Sequence, residues 1–240
     1  MRRIPAVRRA LALESARTLS PTVRELVLRT DDGAPIDFLA GQWIKLYLPG
    51  GVDRDYSIAS RPDPARPDRI VLAVTLVEGG PGSTFLHAMQ PGDRVDSLGP
   101  SGFFVREDHE RAAPALYVGT GTGLAPLRAM LQEEVQAADG PPQILLFGCR
   151  SEDELLWGDE IAGWAERCPR FSFLPTLSRA SERWSGRRGY VQTHLHDLVH
   201  AHPGAHLYVC GLSRMVGDVR RILKEELRVD RRQVHSERYD

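Results

Sequence analysis

The run Gly119-Thr120-Gly121-Thr122-Gly123-Leu124-Ala125-Pro126 holds the residues of clearest chemical meaning in this chain. Glycines let a backbone approach a pyrophosphate closely, and a helix starting just afterwards offers free amides and the positive end of its dipole. The flanks supply that context. Ala115-Leu116-Tyr117-Val118 reads as a buried parallel strand, and Leu124, Leu127, Met130, Leu131 and Val135 recur at helical spacing, so a helix begins near Leu124. Pro126 falls in its first turn, where a missing amide hydrogen costs nothing. Strand, glycine loop and helix start together predict a nucleotide-phosphate cradle built from Gly119, Thr120, Gly121, Thr122 and Gly123.

Two other groups of residues could do chemistry. His196 and His200 stand one helical turn apart within His194-Leu195-His196-Asp197-Leu198-Val199-His200-Ala201-His202, a spacing that can hold zinc. No glutamate occupies the intervening positions and no third ligand is evident, so the segment is read as a polar helix face and no metal site is expected. Cys149, Cys168 and Cys210 are widely separated and odd in number. They exclude a disulfide framework and a four-cysteine cluster within these residues, so an iron–sulfur centre would sit on another polypeptide.

The chain of 240 residues balances 31 Lys and Arg against 32 Asp and Glu, which argues against a broad nucleic-acid footprint. The pairs Arg2-Arg3, Arg8-Arg9 and Arg231-Arg232 read as solvated faces. No apolar run approaches membrane-spanning length, and the N-terminus lacks the hydrophobic region of a signal peptide. These features describe a cytoplasmic, soluble protein with no membrane partner. Without heptads or an obvious exposed apolar stripe, a monomer is expected.

The elements that must position the glycine loop fall into two halves. Short alternating or apolar segments near 6–13, 23–28, 43–48, 56–59, 70–77 and 94–98 are separated by Asp31-Asp32-Gly33, Pro49-Gly50-Gly51, Arg61-Pro62-Asp63-Pro64 and Gln90-Pro91-Gly92-Asp93. This pattern predicts an antiparallel β-barrel, with one helix around 83–89. From 115 onward the pattern alternates strand (115–118, 144–147, 171–177, 206–210, 233–236) and helix (124–137, 159–167, 191–199, 213–227). That is the order of a doubly wound parallel sheet, with ligands beyond the carboxyl ends of its strands. Two domains follow, 1–108 and 109–240.

Five segments in order, Arg54-Asp55-Tyr56-Ser57, Gly82-Ser83-Thr84, Gly99-Pro100-Ser101-Gly102, the Gly119 loop and Cys210-Gly211-Leu212-Ser213-Arg214-Met215, resemble the ferredoxin–NADP reductase superfamily. The resemblance covers nearly the whole chain. It implies a flavin-binding Greek-key barrel followed by a nicotinamide-nucleotide-binding α/β domain. It also implies that Tyr56 packs on the flavin ring, Arg54 pairs with the flavin pyrophosphate, Ser57 hydrogen-bonds near the reacting nitrogen, and Gly82, Ser83 and Thr84 bind the pyrophosphate from the other side. A stacking aromatic and a forked guanidinium suit those tasks. Cys210 would lie beside the meeting point of nicotinamide and flavin, with Gly211 allowing close approach. Glu237 and Tyr239 match a glutamate and a flavin-covering tyrosine found two residues apart at the end of plant-type members, with Asp240 as one further residue. Ser57 and Glu237 are the expected polar pair flanking hydride transfer.

For the coenzyme, the second parallel strand ends Phe147-Gly148-Cys149-Arg150, with no acid to bind the ribose 2′-hydroxyl as NAD-specific folds often do. In NADP-dependent relatives a Ser-Arg pair, a later basic residue and a tyrosine grip the 2′-phosphate; Ser178, Arg179, Arg188 and Tyr190 fit those positions. The resemblance thus implies an NAD(P)H oxidoreductase, with NADPH favoured over NADH. It would hold FAD in preference to FMN and pass electrons to a separate acceptor such as a ferredoxin or an oxygenase component. A free-flavin reductase and a non-catalytic flavin-binding subunit of a larger complex stay open as alternatives.

Overall fold

The computed structural model describes residues 4–239; Arg2, Arg3 and Asp240 lie outside the described residues. Its first half is a sheet of six antiparallel strands in the order β4-β3-β6-β1-β2-β5: β1 (Val7–Ser20), β2 (Val23–Thr30), β3 (Trp43–Leu48), β4 (Val52–Ser57), β5 (Arg69–Thr75) and β6 (Arg94–Ser101). The sheet curls until Ile58 bridges Leu72 beside the far edge strand. β3 shows why: Ile44, Leu46 and Leu48 are buried while Trp43, Lys45 and Tyr47 are not, so one face of each strand lines the barrel. Leu11, Leu13, Leu26, Leu28, Ile70 and Leu72 complete that core. The single helix of this half, α1 (Pro81–Ala88), starts at a proline, as a first-turn proline allows.

The second half is a parallel sheet in the order β10-β9-β8-β7-β11-β12, formed by β7 (Ala115–Thr120), β8 (Gln143–Cys149), β9 (Phe171–Leu177), β10 (Arg187–Arg188), β11 (His206–Leu212) and β12 (Val234–Tyr239). β7 and β8 are apolar on both faces because helices cover both. Tyr117, Leu145 and Phe147 pack towards α2 (Leu124–Glu134) and α3 (Gly158–Arg167). Leu116, Val118, Ile144 and Leu146 pack towards α4 (Leu195–Ala201) and α5 (Ser213–Arg221). No helix among the described residues is long and apolar enough to cross a membrane.

Element types agree with the sequence patterns except at β10, a two-residue strand the patterns did not show, and the remaining differences lie mostly at ends. β1 continues to Ser20, past the expected end at 13, through a register shift between Leu13 and Ser15. Its second part pairs with β2 although its side chains do not alternate, because backbone pairing needs no apolar face. The expected strand at 56–59 sits at 52–57 instead. β4 is an edge strand whose Asp53 and Asp55 flank Lys45 of β3 at 2.7 and 2.9 Å, so charge masked its signal. The helix expected over 213–227 ends as a wider π turn at Ile222–Glu226.

The halves are joined through α2. Arg128, 6% exposed, donates to the Ala59 carbonyl at 2.6 Å and to both carboxylate oxygens of Glu160 at 2.8 Å, with its guanidinium 4.6 Å from the Trp157 ring centre. Trp157 Nε1 in turn donates to Glu25 on β2 at 2.5 Å, and Arg17 donates to the same carboxylate. Burial opposes charge on Glu25, but the hydrogen bonds from Arg17 and Trp157 outweigh it and hold its carboxyl below the ordinary range.

Candidate active site

Strand ends of the barrel face the carboxyl ends of the parallel sheet, and side chains from both meet there. Ser57 closes β4; its hydroxyl donates to Glu237 Oε1 at 3.0 Å and accepts from the Tyr239 hydroxyl at 2.5 Å. Glu237 and Tyr239 share one face of β12 because strand side chains alternate with a period of two. Parallel register sets Glu237 beside Cys210 and Tyr239 beside Leu212. Cys210 has no exposed surface and lies directly beside Glu237 in the strand pairing. The expected trio Ser57, Cys210 and Glu237 is therefore brought together, with Tyr239 as its fourth member.

Burial sets the electrostatics. It raises the Cys210 thiol far enough to keep it protonated, which leaves no thiolate nucleophile. Burial and the charge of Asp55 lift the Glu237 carboxyl above its ordinary range, against the opposing pull of the Ser57 hydrogen bond. Because the folded state holds this proton more tightly than the unfolded chain, its contribution to stability is full below about pH 4.3 and is lost as pH rises through the raised folded value. Glu237→Gln, neutral throughout, should flatten that decline in thermal unfolding followed from pH 4 to 8. An unchanged slope would remove Glu237 as its source.

The glycine loop lies against the same strand end. Gly121 carries φ 53°, and a side chain there would meet nothing, so its face is open. Gly123 differs: a Cβ would fall 2.6 Å from the Cys210 carbonyl carbon and from Gly211 Cα. At Gly119 it would strike Leu127 at 2.8 Å, and at Gly211 (φ 146°) it would run into Thr120 and Met215. Glycine at 119, 123 and 211 thus serves close packing of the loop on β11, whereas 121 shapes the surface a ligand would meet. The turn Gly121–Gly123 has no side-chain cap, which leaves its own amides available to an anion, whereas the Leu124 amide at the start of α2 donates back into the turn. Thr120 Oγ1 is buried without a partner, and Thr122 reaches Thr75 of the barrel at 3.4 Å.

A second set of exposed donors lies on the barrel. Arg54 is exposed, and its side chain runs over the start of α1, where a Cβ on Gly82 would fall 3.7 Å from Arg54 Cγ. That helix also lacks a side-chain cap. The Ser83 hydroxyl is committed internally, accepting from Val77 N at 3.0 Å and donating to the Gly80 carbonyl at 3.1 Å, so Ser83 offers its amide rather than its side chain. Thr84 is exposed, and Tyr56 is half-buried on the barrel core. Guanidinium, hydroxyl and two uncapped helix starts form a donor set that fits dinucleotide pyrophosphates.

At the end of β9 the geometry divides the expected basic group. Arg188 donates to the carbonyls of Ala180, Ser181 and Trp184 at 3.3, 2.7 and 2.9 Å, so its guanidinium holds a loop. Ser178 makes a long hydrogen bond to the Cys149 carbonyl at 3.5 Å, Arg179 is exposed, and Tyr190 is 68% exposed. The pairing of Cys149 with Leu177 places Arg150 beside this group, and the Arg179 amide donates to the Arg150 carbonyl at 2.7 Å. Arg150 was visible in the sequence only as the absence of an acid.

Comparisons with known proteins give the family and its domains. Residues 10–105 match the oxidoreductase FAD-binding domain and 117–221 the oxidoreductase NAD-binding domain. The chain is 46% identical over 237 residues to ferredoxin–NADP reductase B of Sorangium cellulosum, covering 95% of this chain and 96% of that protein. It belongs to the ferredoxin–NADP reductase superfamily. Accordingly it is a flavin-dependent NAD(P)H oxidoreductase that uses FAD with NADPH or NADH. The reductase is also 35% identical to DmpP, the reductase component of phenol 2-monooxygenase from Pseudomonas, across 82% of this chain but only 56% of that longer protein. Its backbone matches the Amycolatopsis cytochrome P450 reductase GcoB with a TM-score of 0.87 at 27% identity, over 98% of this chain and 70% of that one.

Proposed function

We propose that this reductase oxidises NADPH in preference to NADH and delivers electrons to a separate protein, a ferredoxin or an oxygenase component like those its relatives are named for. FAD, when bound, supplies the conversion from hydride to single-electron transfer. Arg54, Thr84 and the first amides of α1 would hold its pyrophosphate, with Tyr56 along its ring. Gly119, Thr120, Gly121, Thr122 and Gly123 would take the coenzyme diphosphate, and Arg179, Arg150, Ser178 and Tyr190 its 2′-phosphate, while Arg188 keeps their loop in place.

One observation carries the reading: the Tyr239–Ser57–Glu237 hydrogen-bond chain joins the barrel to the parallel sheet beside Cys210. Ser57 and Glu237 orient the reacting groups, and Tyr239 excludes water until a coenzyme displaces it. Anaerobic stopped-flow mixing with NADPH and NADH tests this. NADPH should bleach the flavin faster, and Arg179→Ala should reduce the preference about 10- to 100-fold, the worth of a hydrogen bond to a charged group. Equal rates with both coenzymes would overturn the preference. A colourless protein active only with added flavin would make it a free-flavin reductase, and a yellow one inert to both coenzymes a subunit reduced by another route.

A further inference from the structure

Towards the amino ends of β11 and β12, the strands that carry Cys210, Glu237 and Tyr239 farther along, three side chains distant in sequence converge. Glu110 lies in the single turn Asp108–Glu110 that links the two halves, His206 opens β11, and His235 is the second residue of β12. Glu110 is 4% exposed, and its two carboxylate oxygens are used differently. Oε2 accepts from the Tyr208 hydroxyl at 2.7 Å and from the Glu107 amide at 2.9 Å. Oε1 faces His235 Nε2 at 3.2 Å and His206 Nδ1 at 3.6 Å, and those nitrogens are 3.2 Å from each other.

We propose that Glu110, His206 and His235 form a binding site for a divalent transition cation of the Zn²⁺ class. Three potential ligand atoms lie within 4.8 Å of one another, and they attract only if a proton or a cation lies among them. Bonds of about 2.0–2.1 Å to a tetrahedral zinc set its ligands about 3.3 Å apart, close to the spacings here. Two imidazoles and one carboxylate with an open fourth position form a zinc donor set, and nitrogen donors favour such ions over Mg²⁺ and Ca²⁺. The supporting contacts also suit a metal. Tyr208 and the Glu107 amide fix the carboxylate with Oε1 outward, and the Tyr208 ring stacks on His235 at 4.7 Å. Arg106, the nearest buried cation, is 3.7 Å from Glu134, which offsets its charge. A bound cation would tie the linker to the start of β12, the strand that carries Glu237 and Tyr239 farther along.

The test uses untagged full-length protein carrying its flavin, stripped with a chelator and dialysed against zinc. Bound zinc is measured by mass spectrometry, and a Co²⁺-loaded sample is checked for the visible bands of tetrahedral cobalt. One equivalent should bind. It should be lost in His206→Gln and His235→Gln, retained in the doubly substituted His196→Gln/His200→Gln protein, and held about 10- to 100-fold more weakly in Tyr208→Phe. Retained flavin and an unchanged circular dichroism spectrum identify the variants that fold. No zinc above the level of the His206 and His235 variants, or zinc lost only with His196 and His200, would overturn the proposal and leave a proton shared between the imidazoles.

Discussion

Gly123→Ala should lower stability by about 2–3 kcal/mol, the cost of overpacking a site that cannot relax, and reduce NAD(P)H-driven flavin reduction at least tenfold. The added methyl would lie 2.6 Å from the Cys210 carbonyl carbon and from Gly211 Cα. Both are backbone atoms of a strand paired on both sides, by β7 and β12, so the clash cannot be relieved by a rotamer. The loop must lift instead, carrying the uncapped amides of the Gly121–Gly123 turn away from where a diphosphate would sit. Gly121→Ala is the control for stability alone: it meets no neighbour in the protein and costs only the left-handed backbone at φ 53°, about 1 kcal/mol. Urea midpoints on both variants, with coenzyme titrations of Gly123→Ala against the parent protein, decide the matter. Unimpaired coenzyme binding in Gly123→Ala would show that the contact with β11 does not set the loop.

Arg106→Met should destabilise the fold by about 3–5 kcal/mol, the usual consequence of removing one partner from a buried ionic network. Its side chain is 1% exposed. One guanidinium nitrogen donates to the Tyr117 hydroxyl at 2.9 Å and Gln143 Oε1 at 2.5 Å, and the other to the carbonyls of Glu110 and Ala113 at 3.2 and 2.7 Å. Removing it takes a donor from each of these four acceptors, although Gln143 Oε1 still accepts from the Tyr117 hydroxyl and the Glu110 carbonyl from the Ala113 amide, and it leaves Glu134, 5% exposed, with less compensation. Arg111 still pairs with Glu134, which places the loss towards the lower end. Adding Glu134→Leu should recover part of it, because the second charge then needs no partner. A loss under about 1 kcal/mol in denaturant unfolding would mean that water satisfies these groups.

Much of this protein was written in local pattern. β3 alternates and lines a barrel, β7 and β8 are apolar on both faces and lie between helix layers, and Pro126 sits inside the first helical turn after the glycine loop. β4 was harder, because an edge strand exposes both faces to charge and loses its period. The candidate site residues Ser57, Cys210, Glu237 and Tyr239 could be named from motifs, and Ser57 with Glu237 as a pair, but the hydrogen bond from the Tyr239 hydroxyl to Ser57 could not.

Sequence alone therefore determined the element types, their order and the phosphate loop, since each depends on a few neighbouring residues. Tertiary structure decided which distant groups meet. Ser57 is bonded to Glu237 across a separation of 180 residues. Arg188 spends its donors on its own loop while Arg150 stands beside Arg179, and Glu110 finds His206 and His235 where a helical histidine pair had drawn attention instead. The reason is physical: backbone periodicity is short-ranged, whereas a hydrogen bond or a cation site needs atoms within about 3–4 Å whatever their separation along the chain.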